Sequence, residues 1–153
     1  MMKQSLYRGP IIVKKSPIHG YGVFATQAIK KGSLVEECHT LFTEKKDQLF
    51  INYYFSAKNQ SAIPLGYGCI YNHSFTPNVS YEYNDKTELL IFTALRNISA
   101  GEEIFSSYGN DWFSSRNIQA KKSPWWRYRY ALWRGLMTCL ALWGIIQSLK
   151  YFT

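Results

Sequence analysis

The chain has 153 residues, 46% of them hydrophobic, which suits one domain able to bury its own core plus a short appendage. Its three cysteines, Cys38, Cys69 and Cys139, are scattered and odd in number, which argues against a disulfide framework and fits a reducing compartment. The net charge of +8 sits almost entirely in residues 114–153, which carry seven Lys and Arg and no acid, so a uniformly basic nucleic-acid-binding domain is disfavoured and the tail is marked as having its own partner.

In chain order, residues 1–10 are short and mixed and do not read as a signal peptide. Residues 11–16 form an apolar run that predicts a strand, ended by Ser16-Pro17. Ile18-His19-Gly20-Tyr21-Gly22 is a loop in which glycine allows close backbone approach to a ligand, although a simple hairpin turn has the same composition. The third glycine and following helix of a dinucleotide-binding loop are missing. Strands are predicted from Val23 and over residues 34–38, separated by a turn at Ala28-Ile29-Lys30-Lys31-Gly32. Residues 49–55 are aromatic and β-branched and predict a strand, followed by a polar loop over residues 58–63. Cys69-Ile70-Tyr71 is apolar and expected to be buried. Residues 79–83 alternate, and residues 87–95 are the longest strand candidate. The turn between them predicts an antiparallel hairpin. Many short strands with Gly and Pro turns imply a mainly β domain.

Two blocks carry the chemistry. Asn72-His73-Ser74-Phe75-Thr76-Pro77-Asn78 is dense in donors and acceptors, and Pro77 makes it a loop. Taken alone it reads as a polar turn satisfying its own backbone. Neither a second metal ligand at suitable spacing nor a Gly-x-Ser-x-Gly elbow accompanies it, so no metal is expected and a serine hydrolase is disfavoured. Gly101-Glu102-Glu103-Ile104-Phe105-Ser106-Ser107-Tyr108-Gly109 reads as a tight turn leading into an apolar strand that ends on a tyrosine.

These blocks, in this order and with Gly20-Tyr21-Gly22-Val23-Phe24-Ala25 upstream, resemble the motifs of the SET domain, a protein-lysine methyltransferase fold. The resemblance covers residues 11–113, and the compact form resembles bacterial and viral SET proteins. It implies a mainly β, β-clip-like fold of short antiparallel sheets with a knot-like C-terminal segment, to which the tail, residues 114–153, adds a helix. It implies S-adenosyl-L-methionine as cofactor and a protein lysine side chain as substrate, histone or not. By resemblance Tyr108 is the catalytic tyrosine and Tyr81 lines the lysine pocket, where a tyrosine tends to restrict the number of methyl groups added. Gly20, Tyr21, Gly22, Asn72 and His73 would hold the cofactor.

Departures from the family pattern are Cys69-Ile70 in place of Arg-Phe, Phe75 in place of Cys, and Ser107 in place of Asp. The zinc-binding Cys-x-Cys-x4-Cys segment is absent, and Trp112 and Phe113 are the candidates to close the site in its stead. The departures keep open a catalytically weak SET-like binding module. In the tail, Lys121-Lys122-Ser123-Pro124-Trp125-Trp126-Arg127 precedes an uncharged run over residues 135–149. It reads first as a membrane anchor or interfacial helix, second as a helix docked on the domain, and third as an arm for nucleic acid or nucleosome. A membrane-tethered interaction protein is the remaining alternative function. The expected location is intracellular and cytoplasmic, with membrane association through the tail.

Overall fold

A computed structural model of the chain describes residues 6–120. In chain order its strands are β1 (Ile11–Lys15), β2 (Tyr21–Ala25), β3 (Leu34–Thr43), β4 (Phe55–Ala57), β5 (Gln60–Leu65), β6 (Asn72–His73), β7 (Val79–Asn84), β8 (Leu89–Ala94) and β9 (Glu103–Ser106). They form a four-stranded sheet in the order β1-β2-β9-β6 and a five-stranded sheet in the order β4-β5-β3-β8-β7. All pairings are antiparallel except β6 with β9, which is parallel. β9, late in sequence, thus lies between an early strand and a middle one. This interleaving brings three distant parts of the chain into one sheet of a mainly β fold. The predicted C-terminal helix, and every reading of the tail beyond residue 120, lies outside the described residues. Among the described residues no helix is long and apolar enough to cross a membrane.

The hairpin predicted between residues 83 and 88 is present as β7–β8. Asn84 Oδ1 accepts from the N–H of Lys86 at 2.9 Å and of Thr87 at 3.2 Å, an Asx turn that fixes the register.

Two expectations are corrected. Residues 49–55 are not one strand: Gln48–Phe50 is a 3-10 turn, and pairing starts only at Phe55. Asp47 is the cause, because its carboxylate accepts the Leu49 N–H at 2.7 Å and so offers the backbone a capped turn in place of a ladder. Residues 58–63 are not a loop but a two-residue turn and strand β5. Lys58 and Asn59 have φ of 50° and 58°, the left-handed pair that closes a tight hairpin between β4 and β5. In addition, β3 runs on to Thr43, beyond the expected end, because β5 gives it a partner over residues 39–43.

The core lies between the sheets. Val23 and Ile104 of the first sheet meet Val35, Cys38, Val79, Leu90 and Phe92 of the second, with Tyr71 and Ile98 from the connections. Asn78, fully buried, fastens β9 to this core. Its Oδ1 accepts from the Phe105 N–H at 2.7 Å, and its Nδ2 donates to the Glu103 carbonyl at 2.9 Å. A polar side chain survives there because each end has a partner.

Candidate active site

Two cavities open beside β6 and β9. The larger is a cleft of about 790 Å³ lined by Gly20, Tyr21, Asn72, His73, Tyr108 and Trp112, among others. That volume falls in the range of small-molecule sites, roughly 300–1,000 Å³. The smaller is a narrow hole of about 30 Å³ among Tyr53, Tyr54, Phe55, Tyr71, Tyr81 and Tyr108. Asn52, Tyr53, Cys69, Tyr108 and Trp112 line both.

The cleft is built on Asn72. Its Nδ2 lies 3.2 Å from the His19 carbonyl, 3.1 Å from the Tyr21 carbonyl and 2.8 Å from Glu103 Oε1, so one amide clamps the Gly20 loop onto β9. Glu103 is wholly buried, and its other oxygen accepts from the Ser16 hydroxyl at 3.0 Å. That hydroxyl also accepts the Ile18 N–H, so the loop is held at both ends. Burial raises the Glu103 pKa above its ordinary value, against the opposing hydrogen bonds from Asn72 and Ser16. Gly22, expected at the cofactor, stands against this carboxylate: a Cβ there would collide with Glu103 Oε1 and approach Asn72 Nδ2 to 3.1 Å. Gly20, at φ 50°, borders open space.

His73 joins the cleft to the catalytic tyrosine candidate. Its Nδ1 accepts the Tyr108 N–H at 3.1 Å, which puts the imidazole proton on Nε2. Nε2 is buried without a partner among the described residues. The ring is packed edge-on by Phe75 and Phe113, with centroids 4.6 and 4.8 Å away. Burial lowers the His73 pKa below 6.5 and keeps the ring neutral at neutral pH.

The Tyr108 hydroxyl donates to the Tyr71 carbonyl at 2.7 Å. Burial first, then the neighbouring Tyr53, Cys69 and Glu103, push its pKa up to about 12. The phenol therefore stays protonated at neutral pH, with its donor committed and its oxygen able to accept a further hydrogen bond. Tyr71 is held from behind: its hydroxyl donates to Glu36 Oε2 at 3.0 Å, and Glu36 Oε1 accepts the Tyr67 N–H at 2.9 Å. Tyr81 packs edge-on against Phe55, centroids 4.8 Å apart, on the far wall.

Trp112 and Phe113 lie over Tyr108, with centroids at 4.9 and 6.2 Å, the latter stacked. The structure thus brings Gly20, Tyr21, Asn72, His73 and Trp112 to the cleft, Tyr108 and Trp112 to both cavities, and Tyr81 to the hole alone, with Gly22 behind the cleft wall. Sequence reasoning assigned no role to Asn52, Tyr53, Cys69, Ile118 or Gln119, which line the cavities as well. Only the aromatic density of residues 53–55 hinted at Tyr53. Cys69 occupies the place of the family arginine. Its thiol donates to the Pro64 carbonyl at 3.4 Å, and burial, with the Glu36 charge, pushes its pKa up to about 11. Among the described residues no cluster of three or more His, Cys, Asp or Glu could hold a metal ion.

The family model for the SET domain matches residues 20–109. A histone-lysine N-methyltransferase specific for H3 lysine-37, from Schizosaccharomyces pombe, is 25% identical over 130 residues, spanning 79% of this chain and 88% of that relative. A crystal structure of a Plasmodium falciparum protein described as a candidate histone methyltransferase superposes with a TM-score of 0.62 at 35% identity. That match covers 69% of this chain and 98% of the other.

Proposed function

We infer the activity from one premise: the chain belongs to the SET domain family and is a SET-type protein-lysine methyltransferase. The methyl donor we propose is S-adenosylmethionine, and the acceptor a lysine side chain of a histone or another protein. The observation that carries this reading is the meeting of a ligand-sized cleft and a narrow aromatic hole at Tyr108.

The cleft suits such a cofactor in three respects. Its volume is adequate, Gly20 leaves the backbone open to close approach, and the buried His73 Nε2 is a donor without a partner among the described residues. Gly20, Tyr21, Asn72 and His73 would hold the cofactor, with Trp112 closing over it. When bound, S-adenosylmethionine supplies an electrophilic methyl group.

The chain does the rest. A hole of about 30 Å³ has room for a water or two, or for the head of one lysine, but not for a bulky group. Its rings disfavour a bare ammonium by desolvation and so favour the neutral amine, the nucleophilic form. Tyr108 presents oxygen lone pairs to the amine while Tyr71 fixes the direction of the hydroxyl. Alignment of amine and methyl, more than acid–base chemistry, then lowers the barrier.

The test is incubation with methyl-labelled S-adenosylmethionine on mixed histones and a lysate, with Tyr108→Phe alongside. Label on lysine that is lost in the variant is the expected result. Cofactor binding by calorimetry with no label on any substrate would overturn it and favour the binding-module reading, which the Cys69 and Ser107 departures motivate.

A further inference from the structure

Five residues line both cavities, and two of them, Asn52 and Trp112, are held by a single side chain that the sequence places in the tail. Arg116 sits just past the aromatic segment. Its Nε donates to Asn52 Oδ1 at 2.9 Å and its Nη2 to the Ile51 carbonyl at 2.7 Å. On the other edge, Nη1 donates to the Trp112 carbonyl at 3.0 Å and to Ser115 Oγ at 3.1 Å. The guanidinium carbon lies 4.4 Å from the centroid of the Trp112 ring, a cation–π contact. The planar fork thus spans two segments about sixty positions apart: one edge grips residues 51–52, the other grips its own turn, and its face covers the indole.

Residues 48–54 need such a hold. The 3-10 turn there has no buried residue, and Leu49 is 76% exposed, so its own packing contributes little. Its carboxylate cap at Asp47 fixes the start of the turn, and β4 fixes the backbone only from Phe55 onward. Asn52 and Tyr53, which form cavity wall, lie between these two anchors.

We propose that Arg116 is a positioning residue, a clasp that seats Asn52 and Tyr53 against Trp112 and so sets both the cofactor cleft and the lysine hole. This rests on the function proposed above. Lysine at this position keeps the charge but cannot form two parallel bonds from one edge while stacking on the indole, which makes Arg116→Lys the informative variant.

The experiment compares the full-length wild type, Arg116→Ala, Arg116→Lys, Asn52→Ala and the Arg116→Ala/Asn52→Ala double variant. Cofactor Kd is read by calorimetry, kcat and KM by label transfer to a lysine peptide that the wild type accepts, and amide hydrogen exchange over residues 48–54. For Arg116→Ala and Arg116→Lys alike, cofactor Kd and peptide KM are expected to rise together by about tenfold, the scale of one lost charge-assisted hydrogen bond. Exchange over residues 48–54 is expected to speed up by about tenfold or more, without a matching change elsewhere. The double variant should lose no more than the worse single, since both remove one contact. Wild-type behaviour of Arg116→Lys, an unmoved cofactor Kd in Arg116→Ala, or losses that multiply in the double variant would each overturn the clasp. If the wild type binds cofactor but transfers no methyl, the proposed activity fails while Kd and exchange still decide the clasp. If it does not bind cofactor either, exchange alone decides it.

Discussion

The cleft and the narrow hole share five residues yet are made of different materials. Behind the cleft, Asn72, Glu103 and Ser16 hold one another and the His19–Tyr21 backbone through hydrogen bonds of 2.8–3.2 Å. Around the hole, Phe55, Tyr71, Tyr81 and Tyr108 hold shape largely by ring packing, with one buried carboxylate, Glu36, set behind Tyr71. A polar wall is specified atom by atom and fails when one group loses its partner. A ring wall is specified by volume and tolerates small polar edits, but not loss of the atom aimed at the reacting centre. The contrast matches the tasks proposed for the two cavities: a cofactor offers many fixed polar groups, a lysine chain almost none.

The sharpest way to break this contrast is at their junction. Tyr108→Phe keeps the ring and removes the hydroxyl that donates to Tyr71, and kcat is expected to fall by about a hundredfold or more. Cofactor affinity should stay unchanged in calorimetry, and a parallel loss of binding would show that the walls are not separable.

On the polar side, Glu103→Leu leaves Asn72 with the His19 and Tyr21 carbonyls but takes the acceptor from the Ser16 hydroxyl. A buried polar group so stranded costs roughly 1–3 kcal/mol, readable as a lower urea midpoint. Glu103→Gln should be far milder: its oxygen still accepts from Asn72, and its amide can donate to Ser16 Oγ. Equal losses for the two would mean that the charge itself is needed. Gly22→Ala tests the same wall by sterics. The new methyl group must displace the Glu103 carboxylate, at an expected cost of about 1–3 kcal/mol, with a weaker cofactor Kd.

A smaller effect follows from pH. The folded-state pKa of His73 lies below 6.5, so as pH falls through that value the unfolded chain takes the proton first and stability drops. Thermal midpoints from about pH 7.5 to about 5.5 should decline less in His73→Gln than in the wild type. Smallest of all is Tyr81→Phe, which leaves the ring against Phe55 and should shift stability by no more than about 0.5 kcal/mol. By family resemblance it should shift products toward more methyl groups, which mass spectrometry of a methylated peptide would register.

The same contrast explains what the sequence revealed. The polar wall is compressed into contiguous motifs, so Gly20, Tyr21, Asn72 and His73 could be proposed together from the resemblance of those motifs to the family's. The strands whose side chains alternate, such as β7, were equally readable. The ring wall is dispersed: Tyr53 and Tyr54 follow a 3-10 turn that aromatic content disguised as strand, and one carboxylate at Asp47 decided the matter. Lys58-Asn59 carries no glycine, so its left-handed turn went unseen and β5 with it. Arg116 looked like one more basic residue of the tail. Its role depends on a partner at Asn52, and no local pattern encodes a contact at that sequence distance.

The placement of β9 between β2 and β6 also bears on when the protein becomes competent. β2 pairs at once with β1 but its other edge must wait for a partner about eighty positions downstream, and β6 for one about thirty-three downstream, so closing the four-stranded sheet is expensive in loop entropy. The β7–β8 hairpin, by contrast, closes through a short turn as soon as its two strands exist. On a ribosome, the five-stranded sheet has all its strands once residue 94 has emerged, whereas Tyr108, Trp112 and Arg116 come later. A nascent chain that stops short of residue 116 therefore carries a half-formed floor and no working cavity, and the capacity to modify another protein is acquired only once that residue has emerged.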